Sequence, residues 1–255
     1  MERMCPSFSA FGTFGRRDTA DSSPNGGARA RGTGRDDRPR FMGEPVNKLP
    51  DPLVEVRRGD RRRITVNGES VLHTPARDVT EFGSKELREL VNDMFATMEC
   101  ANGVGLAAPQ IGVDLRIFVY DCIDAYEVRH VGHICNPVVT VIDSEETNTD
   151  KEGCLSVPGA FSPLTRPTRV TVDGVDQRGN PMHLEGVGLF ARCLQHEADH
   201  LNGTLYIDHL TPAAREAALA ESEEQRAETW AEWDENAEAL GKSTGPEVQS
   251  ANPPA

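Results

Sequence analysis

The run Gln195-His196-Glu197-Ala198-Asp199-His200 lies near the end of an apolar stretch, Leu189 to Leu201, whose pattern predicts a helix buried on most sides. On a helix, His196 and His200 are one turn apart and share a face, where two imidazoles can hold one metal ion. Glu197 lies between them and is placed to move a proton on a metal-bound water. The run therefore favours a metal-binding helix, with a helix whose histidines are merely partly buried or solvated as the alternative.

The third metal ligand can come from three places. One H-E-x-x-H pattern continues to a third histidine, but the corresponding position here is Tyr206. A second pattern takes a glutamate from a later helix, and the glutamates that follow lie in a highly charged stretch that we expect to be solvated. These are Glu216, Glu221, Glu223 and Glu224. The upstream run Glu152-Gly153-Cys154-Leu155-Ser156 offers a thiolate, which suits a divalent transition metal and leaves one position for water.

A glycine-rich segment, Gly103-Val104-Gly105-Leu106-Ala107-Ala108-Pro109-Gln110, follows a predicted helix and precedes an apolar strand. A dinucleotide-binding loop has the opposite order, in which a strand precedes the glycines and a helix follows them. No phosphate-binding lysine motif follows the segment either. Dinucleotide binding is therefore not expected.

In this order, G-V-G-L-A-A-P-Q, E-G-C-L-S and H-E-A-D-H closely resemble the three motifs of the peptide deformylases, bacterial metal-dependent enzymes. The resemblance covers roughly Ile64 to Leu210 and includes the runs Val71 to Ala76 and Ile134 to Pro137. It implies an α+β fold of small antiparallel sheets around a central metal-binding helix, with a C-terminal helix. It also implies hydrolysis of a linear amide: removal of the formyl group from the N-terminal methionine of new polypeptides.

The resemblance assigns roles to individual residues. It implies that Cys154, His196 and His200 bind the metal, and that Glu197 is the general base and acid. Gln110 and the backbone N–H of Leu155 are implied as oxyanion donors. Ferrous iron is the ion that the resemblance supplies, and the affinity order of divalent ions leaves zinc, nickel or cobalt open.

Other residues are expected around this centre. The resemblance implies that the peptide adds as a strand beside Val104–Leu106. It also implies that Leu189, Cys193 and His196 line the methionine pocket, with Val104 on one wall. Cys193 has ordinary helix packing as its equal alternative. Arg166 is expected to pair with Asp199 or with Glu152 behind the metal, with a solvated arginine as the alternative. Some members of the family carry an arginine near the substrate seven residues after the cysteine, where this chain has Phe161.

Composition limits the partners and the compartment. The 255 residues carry a net charge of −14, which argues against a generally basic surface for nucleic acid. No apolar run reaches the roughly 18 residues that span a bilayer, and no secretory signal is evident. The six cysteines lack paired spacing, so we expect free thiols and a cytoplasmic protein. Nascent formyl-methionyl chains are the implied partners, with transient association with the ribosome, no direct contact to nucleic acid and no membrane contact.

Along the chain, residues 1–45 are expected to be a disordered extension and 46–63 a poorly defined lead-in. Residues 64–212 are expected to form the catalytic domain, 213–242 an acidic helix and 243–255 a disordered tail. Within the domain, Asn67-Gly68 predicts a hairpin entry between Ile64 and Pro75. The predicted regular elements are helices from Ser84 to Ala101 and from Ala213 to about Leu240, and strands at Leu115–Tyr120, Ile134–Val141 and Val170–Val175.

Overall fold

A computed structural model describes residues 36–244, in which helices and curled sheets surround a buried helix. The strands are β1 Arg40–Phe41, β2 Glu44–Pro45, β3 Gly105–Ala107, β4 Ile117–Ile123, β5 Arg129–Val141, β6 Thr147–Cys154, β7 Val157–Pro167, β8 Arg169–Val175 and β9 Pro181–Val187. The helices are α1 Val54–Arg58, α2 Lys85–Cys100, α3 Leu189–Leu201 and α4 Pro212–Ala239. Short 3-10 helices lie at Ser70–His73, Ala108–Ile111 and Tyr206–His209. The predicted α+β class is confirmed.

The larger sheet is organised by the long strand β5. The first half of β5 pairs antiparallel with β4, and its second half pairs antiparallel with β8. The register shifts between Cys135 and Val138, where Asn136 has a positive φ of 52° and Pro137 has no N–H to donate. The strand order is β2-β1-β5-β4-β3, and β9 joins through β8. A separate hairpin, β6–β7, forms the second sheet.

Helix α3 begins and ends at the predicted residues and is buried along most of its length. Phe190, Ala191 and Leu194 pack into an apolar cluster with Phe118 and Tyr120 of β4. Such a helix needs apolar residues around most of its circumference, since it has little contact with water. The polar residues on α3 therefore stand out as candidates for function.

Helix α2 also follows its prediction. The Ser84 side chain accepts a hydrogen bond from the Leu87 N–H and caps the first turn. The apolar stripe of α2 enters a core cluster with Leu106 and Ile117. The stripe consists of Leu87, Leu90, Val91, Met94, Phe95 and Met98.

The expected disorder up to residue 45 is wrong for residues 36–45. Strand β1 pairs in parallel with His130 and Val131 of β5, and it also pairs with β2. The lead-in 46–63 is likewise ordered, because Leu49, Leu53 and Val56 lie in the core beside α2. These short apolar contacts have no long periodic pattern, which is why sequence patterning misses them.

The predicted hairpin entry between Ile64 and Pro75 is also wrong. A turn is present at Asn67-Gly68, but a 3-10 helix follows it in place of a second strand. The backbone N–H of Thr65 bonds to the Gln110 carbonyl, and that of Asn67 bonds to the Ser156 carbonyl. The hydrogen bonds that would have formed a hairpin ladder are therefore made to the two motif loops.

Helix α4 starts at Pro212, with the Thr211 hydroxyl accepting a bond from the Ala214 N–H, as its sequence predicts. It packs along β7, and Trp233 is buried against Ile64 and Ala101. Within residues 36–244, no helix is long and apolar enough to span a membrane, and the five cysteines found there are free thiols. The remaining expectations for residues 1–35 and 245–255 lie outside the described residues.

Candidate active site

The two histidines of α3 meet a cysteine at the end of β6. His196 Nε2 and His200 Nε2 are 3.2 Å apart, and Cys154 Sγ is 3.3 Å from His200 Nε2. All three potential ligand atoms lie within 4.8 Å of one another. The structure thus brings together the three residues that the sequence predicts, from two elements separated by more than thirty positions.

The chemistry of this cluster suits a transition-metal ion. One sulfur and two imidazole nitrogens are the donors that such ions accept, and three protein ligands leave a position open. Both histidines are buried, while Cys154 is half-buried. No other cluster of potential metal ligands occurs between residues 36 and 244. Glu221, the rival ligand, is exposed and instead accepts a bond from the Phe161 N–H at 3.5 Å.

Behind the cluster, a buried carboxylate orients His196. Glu152 Oε1 lies 2.8 Å from His196 Nδ1, and Arg166 reaches both Glu152 oxygens at 2.6 and 3.1 Å. Burial by itself raises the pKa of Glu152, but hydrogen bonds and charge from His196 and Arg166 outweigh it and hold the pKa well below its usual range. Glu152 is therefore ionised and directs the His196 Nε2 toward Cys154.

Arg166 contacts both of its predicted partners. Its Nη1 donates to Asp199 Oδ2 at 2.7 Å while its other nitrogens hold Glu152. Asp199 also lies 2.9 Å from Nε2 of His209, an exposed histidine that sequence reasoning leaves without a role. The alternative of a solvated arginine is wrong, because Arg166 is buried.

Arg192 is a buried neighbour of Glu152 that sequence reasoning missed. Its Nη1 donates to Glu152 Oε2 at 2.8 Å. The signal was present, since Arg192 lies one turn before His196 in a helix that is otherwise apolar there. A charge inside a buried helix requires a partner.

The protonation of the histidines follows from their surroundings. Burial lowers the pKa of His200 well below its usual value, and the charge of His196 lowers it further. Burial also acts to lower the pKa of His196, but the Cys154 sulfur and Glu152 outweigh it and raise that pKa well above its usual value. The surroundings of His196 therefore favour positive charge on this ring, and a cation bound to it would replace the proton.

Glu197 follows His196 directly on α3. It is only 3% exposed, and burial raises its pKa to about 7. Its Oε2 has no hydrogen-bond partner within the described part of the chain. A Cβ built on Gly105 would lie 2.3 Å from Glu197 Oε1, so the glycine leaves the space that this carboxylate occupies.

Gln110 lies at the edge of the cluster with a fixed orientation. Its Oε1 accepts the Ala107 N–H at 2.8 Å, which turns the NH2 group toward Cys154 Sγ at 3.6 Å. The same NH2 group is 3.5 Å from Ser156 Oγ. Leu155 lies between Cys154 and Ser156, with its side chain against the core. The Ser156 N–H donates to Cys154 Sγ at 3.4 Å, so donors from two loops border the cysteine sulfur.

The residues expected around the methionine side chain also meet. Cys193 Sγ lies 3.5 Å from the Val104 carbonyl, and Val104 and Leu189 pack at the margin of one apolar cluster. A hydrogen bond with Cys122 and burial raise the pKa of Cys193 well above its usual value, which keeps it a neutral thiol. Phe161 of β7, seven residues after Cys154, is 36% exposed.

Known proteins with similar sequences share one family. The family model for polypeptide deformylase matches residues 61–216. Peptide deformylase 1 of Streptomyces avermitilis is 54% identical over 169 residues, which cover 66% of this chain and 78% of that protein. The peptide deformylase of Acidothermus cellulolyticus is 50% identical over 172 residues, covering 68% of this chain and 88% of that protein.

Solved structures agree with the sequence comparisons. A peptide deformylase from Legionella pneumophila superimposes with a TM-score of 0.59 at 41% identity, covering 66% of this chain and 96% of that one. A peptide deformylase from Ehrlichia chaffeensis in complex with actinonin gives 0.58 at 39% identity, covering 66% and 98%. Since the family match spans more than half of the 255 residues and carries the whole cluster, this chain belongs to the polypeptide deformylase family.

Proposed function

We propose that this protein removes the formyl group from the N-terminal formyl-methionine of newly made polypeptides, using the cluster on α3 and β6. The observation that carries the proposal is the gathering of Cys154 Sγ and two histidine Nε2 atoms within 4.8 Å, beside the buried carboxylate of Glu197. The reaction is hydrolysis of a linear amide, which yields formate and a free methionine amino group.

Cys154, His196 and His200 would hold one divalent cation. A cation so bound supplies Lewis acidity and makes water acidic enough to be a nucleophile near neutral pH. Thiolate and imidazole donors are compatible with ferrous iron, which we propose as the natural ion, and with zinc, nickel or cobalt.

Glu197 would carry the proton of the reaction. It takes a proton from the attacking water and gives it to the departing amine. Burial supports this role, because a carboxyl whose pKa is about 7 can both accept and release a proton near neutral pH. The unpartnered Oε2 is the oxygen available for this transfer.

Gln110 and Leu155 would stabilise the negative charge that develops on the formyl oxygen. The Gln110 NH2 group is held toward the cluster by the bond from Ala107 N–H to its Oε1. An uncharged donor stabilises an oxyanion without retaining the formate product. The backbone N–H of Leu155, next to the cysteine, is the second donor proposed.

The methionine side chain would occupy the apolar region bordered by Val104, Leu189 and Cys193. β3 lies at the edge of its sheet, so an extended peptide can add beside Val104 and Gly105 by backbone hydrogen bonds. Behind the site, Glu152, Arg166 and Asp199 would hold the ligand His196 in place through the contacts described above.

New polypeptides carrying formyl-methionine are the partners in this proposal, met during transient association with the ribosome. Helix α4 would not provide that association by binding RNA, since its exposed face is acidic and phosphate contact needs lysine or arginine.

The test is formate release from a formyl-methionyl peptide by the iron- or nickel-loaded protein. Glu197→Ala should keep the metal and lose turnover by about 10²–10⁴-fold, because only the proton carrier is removed. Cys154→Ala and His200→Ala are matched ligand variants, and these should lose the metal itself, as measured by elemental analysis. Near-normal turnover in Glu197→Ala, or full metal content in both ligand variants, would rule the assignment out.

A further inference from the structure

Arg192 makes three hydrogen bonds that join three elements. It lies on α3, one turn before His196, and is 7% exposed. Its Nη1 donates to Glu152 Oε2 at 2.8 Å and to the Leu164 carbonyl of β7 at 2.9 Å. Its Nη2 donates to the Asn148 carbonyl of β6 at 2.9 Å. The bond to Glu152 is also an ion pair. A buried guanidinium with all these acceptors has one fixed position.

Glu152 is held at both of its oxygens. Oε1 lies against His196 Nδ1 and Arg166 Nη2, and Oε2 lies against Arg166 Nε and Arg192 Nη1. Rotation of the carboxylate would change the direction of the His196 ring, since Oε1 is what the ring bonds to. Arg192 is the donor that bonds only to the far oxygen and so resists this rotation.

Arg192 also sets the position of one sheet relative to α3. The β6–β7 hairpin is a separate sheet, with no ladder hydrogen bonds to the larger sheet. Cys154 ends β6, whereas both histidines lie on α3. The distance between the sulfur and the imidazoles therefore depends on contacts between hairpin and helix. Arg192 bonds to a backbone carbonyl on each strand of that hairpin.

We propose that Arg192 is a positioning residue for the metal site. It fixes the Glu152 carboxylate and holds the β6–β7 hairpin against α3. Both contacts keep Cys154 Sγ at binding distance from the metal shared with His196 and His200. The inference rests on the proposed role of these three residues as metal ligands. Loss of Arg192 should loosen the metal while leaving every ligand in the chain.

The experiment measures how fast the cobalt-loaded protein loses its ion to excess chelator, followed by the visible absorption of bound cobalt. Arg192→Met keeps the length of the side chain but removes the donors, and it should lose cobalt about 10–100-fold faster than the parent. Arg192→Lys keeps the charge but not the forked set of donors, and its rate of cobalt loss should lie between those of the parent and Arg192→Met. Circular dichroism verifies that each variant is folded, and if Arg192→Met does not fold, Arg192→Lys decides.

Arg116→Met is the matched control. Arg116 also docks on α3, donating to the Leu201 carbonyl at 2.9 Å, but it does not contact Glu152 or the hairpin. Its cobalt loss should stay within about twofold of the parent, since it leaves the ligand supports intact. An Arg192→Met rate equal to that of Arg116→Met would overturn the proposal.

A double variant tests whether Arg192 acts through Glu152. Glu152→Gln combined with Arg192→Met should lose cobalt little faster than the faster single variant, because the two residues support the same ligand. Multiplying effects would overturn the part of the proposal in which Arg192 locks Glu152. If the proposed metal ligands were wrong, the result would be different: the parent would bind no cobalt, or Cys154→Ala would retain it.

Discussion

At the scale of single residues, the absence of a side chain at Gly105 is as important to the site as the side chains around it. Gly105 belongs to β3, and a Cβ there would come within 2.3 Å of Glu197 Oε1 and 2.7 Å of its Cδ. Contacts this short are not tolerated, so either the carboxylate or β3 would have to move. The position of the proposed proton carrier thus depends on a residue on another element.

Gly105→Ala should therefore lower kcat sharply, by about tenfold or more, because displacement of a catalytic group by about 1 Å is costly. Metal content should not change, since none of the three proposed ligands is touched. The measurement is formate release together with elemental analysis. Gly68 has a φ of +101° and no neighbouring atom within 4 Å of an added Cβ. Gly68→Ala therefore shows the effect of backbone strain without a steric contact. A kcat of Gly105→Ala equal to that of the parent would show that the added methyl group does not displace Glu197.

His133 is a buried histidine of β5, remote in sequence from the metal cluster. Its Nε2 accepts the Gln177 N–H at 3.0 Å, and burial lowers its pKa to about 4 despite the nearby charge of Asp176. Because this pKa lies below the unfolded value of about 6.5, the unfolded chain binds the proton more readily. The fold therefore loses stability as the pH falls from about 6.5 toward 4.

His133→Gln should reduce this acid sensitivity, because glutamine offers an acceptor near Nε2 that does not titrate. A shift from 6.5 to about 4 corresponds to at most about 3 kcal/mol of unfolding free energy lost on acidification. Urea unfolding at pH 7 and pH 4.5 gives the difference for each protein. His183→Gln, which alters an exposed histidine, is the control. The same pH dependence in His133→Gln and the parent would contradict the argument.

At the scale of elements, α4 packs on the core next to the chain segments that lead to the metal cluster. Trp233 packs on Ile64 and Ala101, and Asn236 Nδ2 donates to the Cys100 carbonyl at 3.2 Å. Nearer the start of α4, Gln225 and Thr229 lie directly over Gly159 of β7. The helix therefore supports the chain on either side of the cluster, although most of it lies beyond residue 216, where the family match ends.

Trp233→Ala should lower the free energy of unfolding by about 3 kcal/mol, as expected for removal of a large buried aromatic group. Trp233 is 4% exposed, whereas Trp230, on the same helix, is only half-buried and lies near Arg226. Trp230→Ala is thus the matched control and should cost clearly less. Urea denaturation followed by circular dichroism measures both. Equal losses would mean that burial of Trp233 does not anchor α4.

At the scale of the whole molecule, the net charge of −14 is concentrated on exposed surfaces such as α4. Its exposed acidic residues are Glu216, Glu221, Glu223, Glu224, Glu228, Glu232, Glu235 and Glu238. An RNA surface repels such a helix, because binding to phosphates requires positive side chains that release counterions. Any docking on a ribosome must therefore use another surface or a basic protein.

Replacement of Glu224, Glu228 and Glu235 by glutamine should leave ribosome binding unchanged or strengthen it at low salt, since only repulsive charges are removed. Cosedimentation with ribosomes over a series of salt concentrations measures this. The stability of the triple variant, followed in parallel, verifies that α4 remains folded. Loss of binding on neutralisation would show that the acidic face itself makes the contact, against the electrostatic argument.

The sequence by itself determined the features that depend on local pattern. Periodicity and capping residues predicted α2, α3 and α4 to within a residue or two, since those signals act within a few turns. The spacing of His196 and His200 placed them on one face of a helix for the same reason. The three motifs together led to Cys154 and Gln110, which the fold brings to the same cluster.

Tertiary structure decided whatever depends on contacts between distant segments. Arg166 bonds to Glu152 and Asp199 at once, and Arg192 completes the same network. Gly105 leaves room for Glu197. Each of these contacts joins elements far apart in sequence. Residues 36–63 are ordered because they pair with β5 and pack on α2. Short segments such as these have too little local preference to specify a structure, so burial against the rest of the chain decides it.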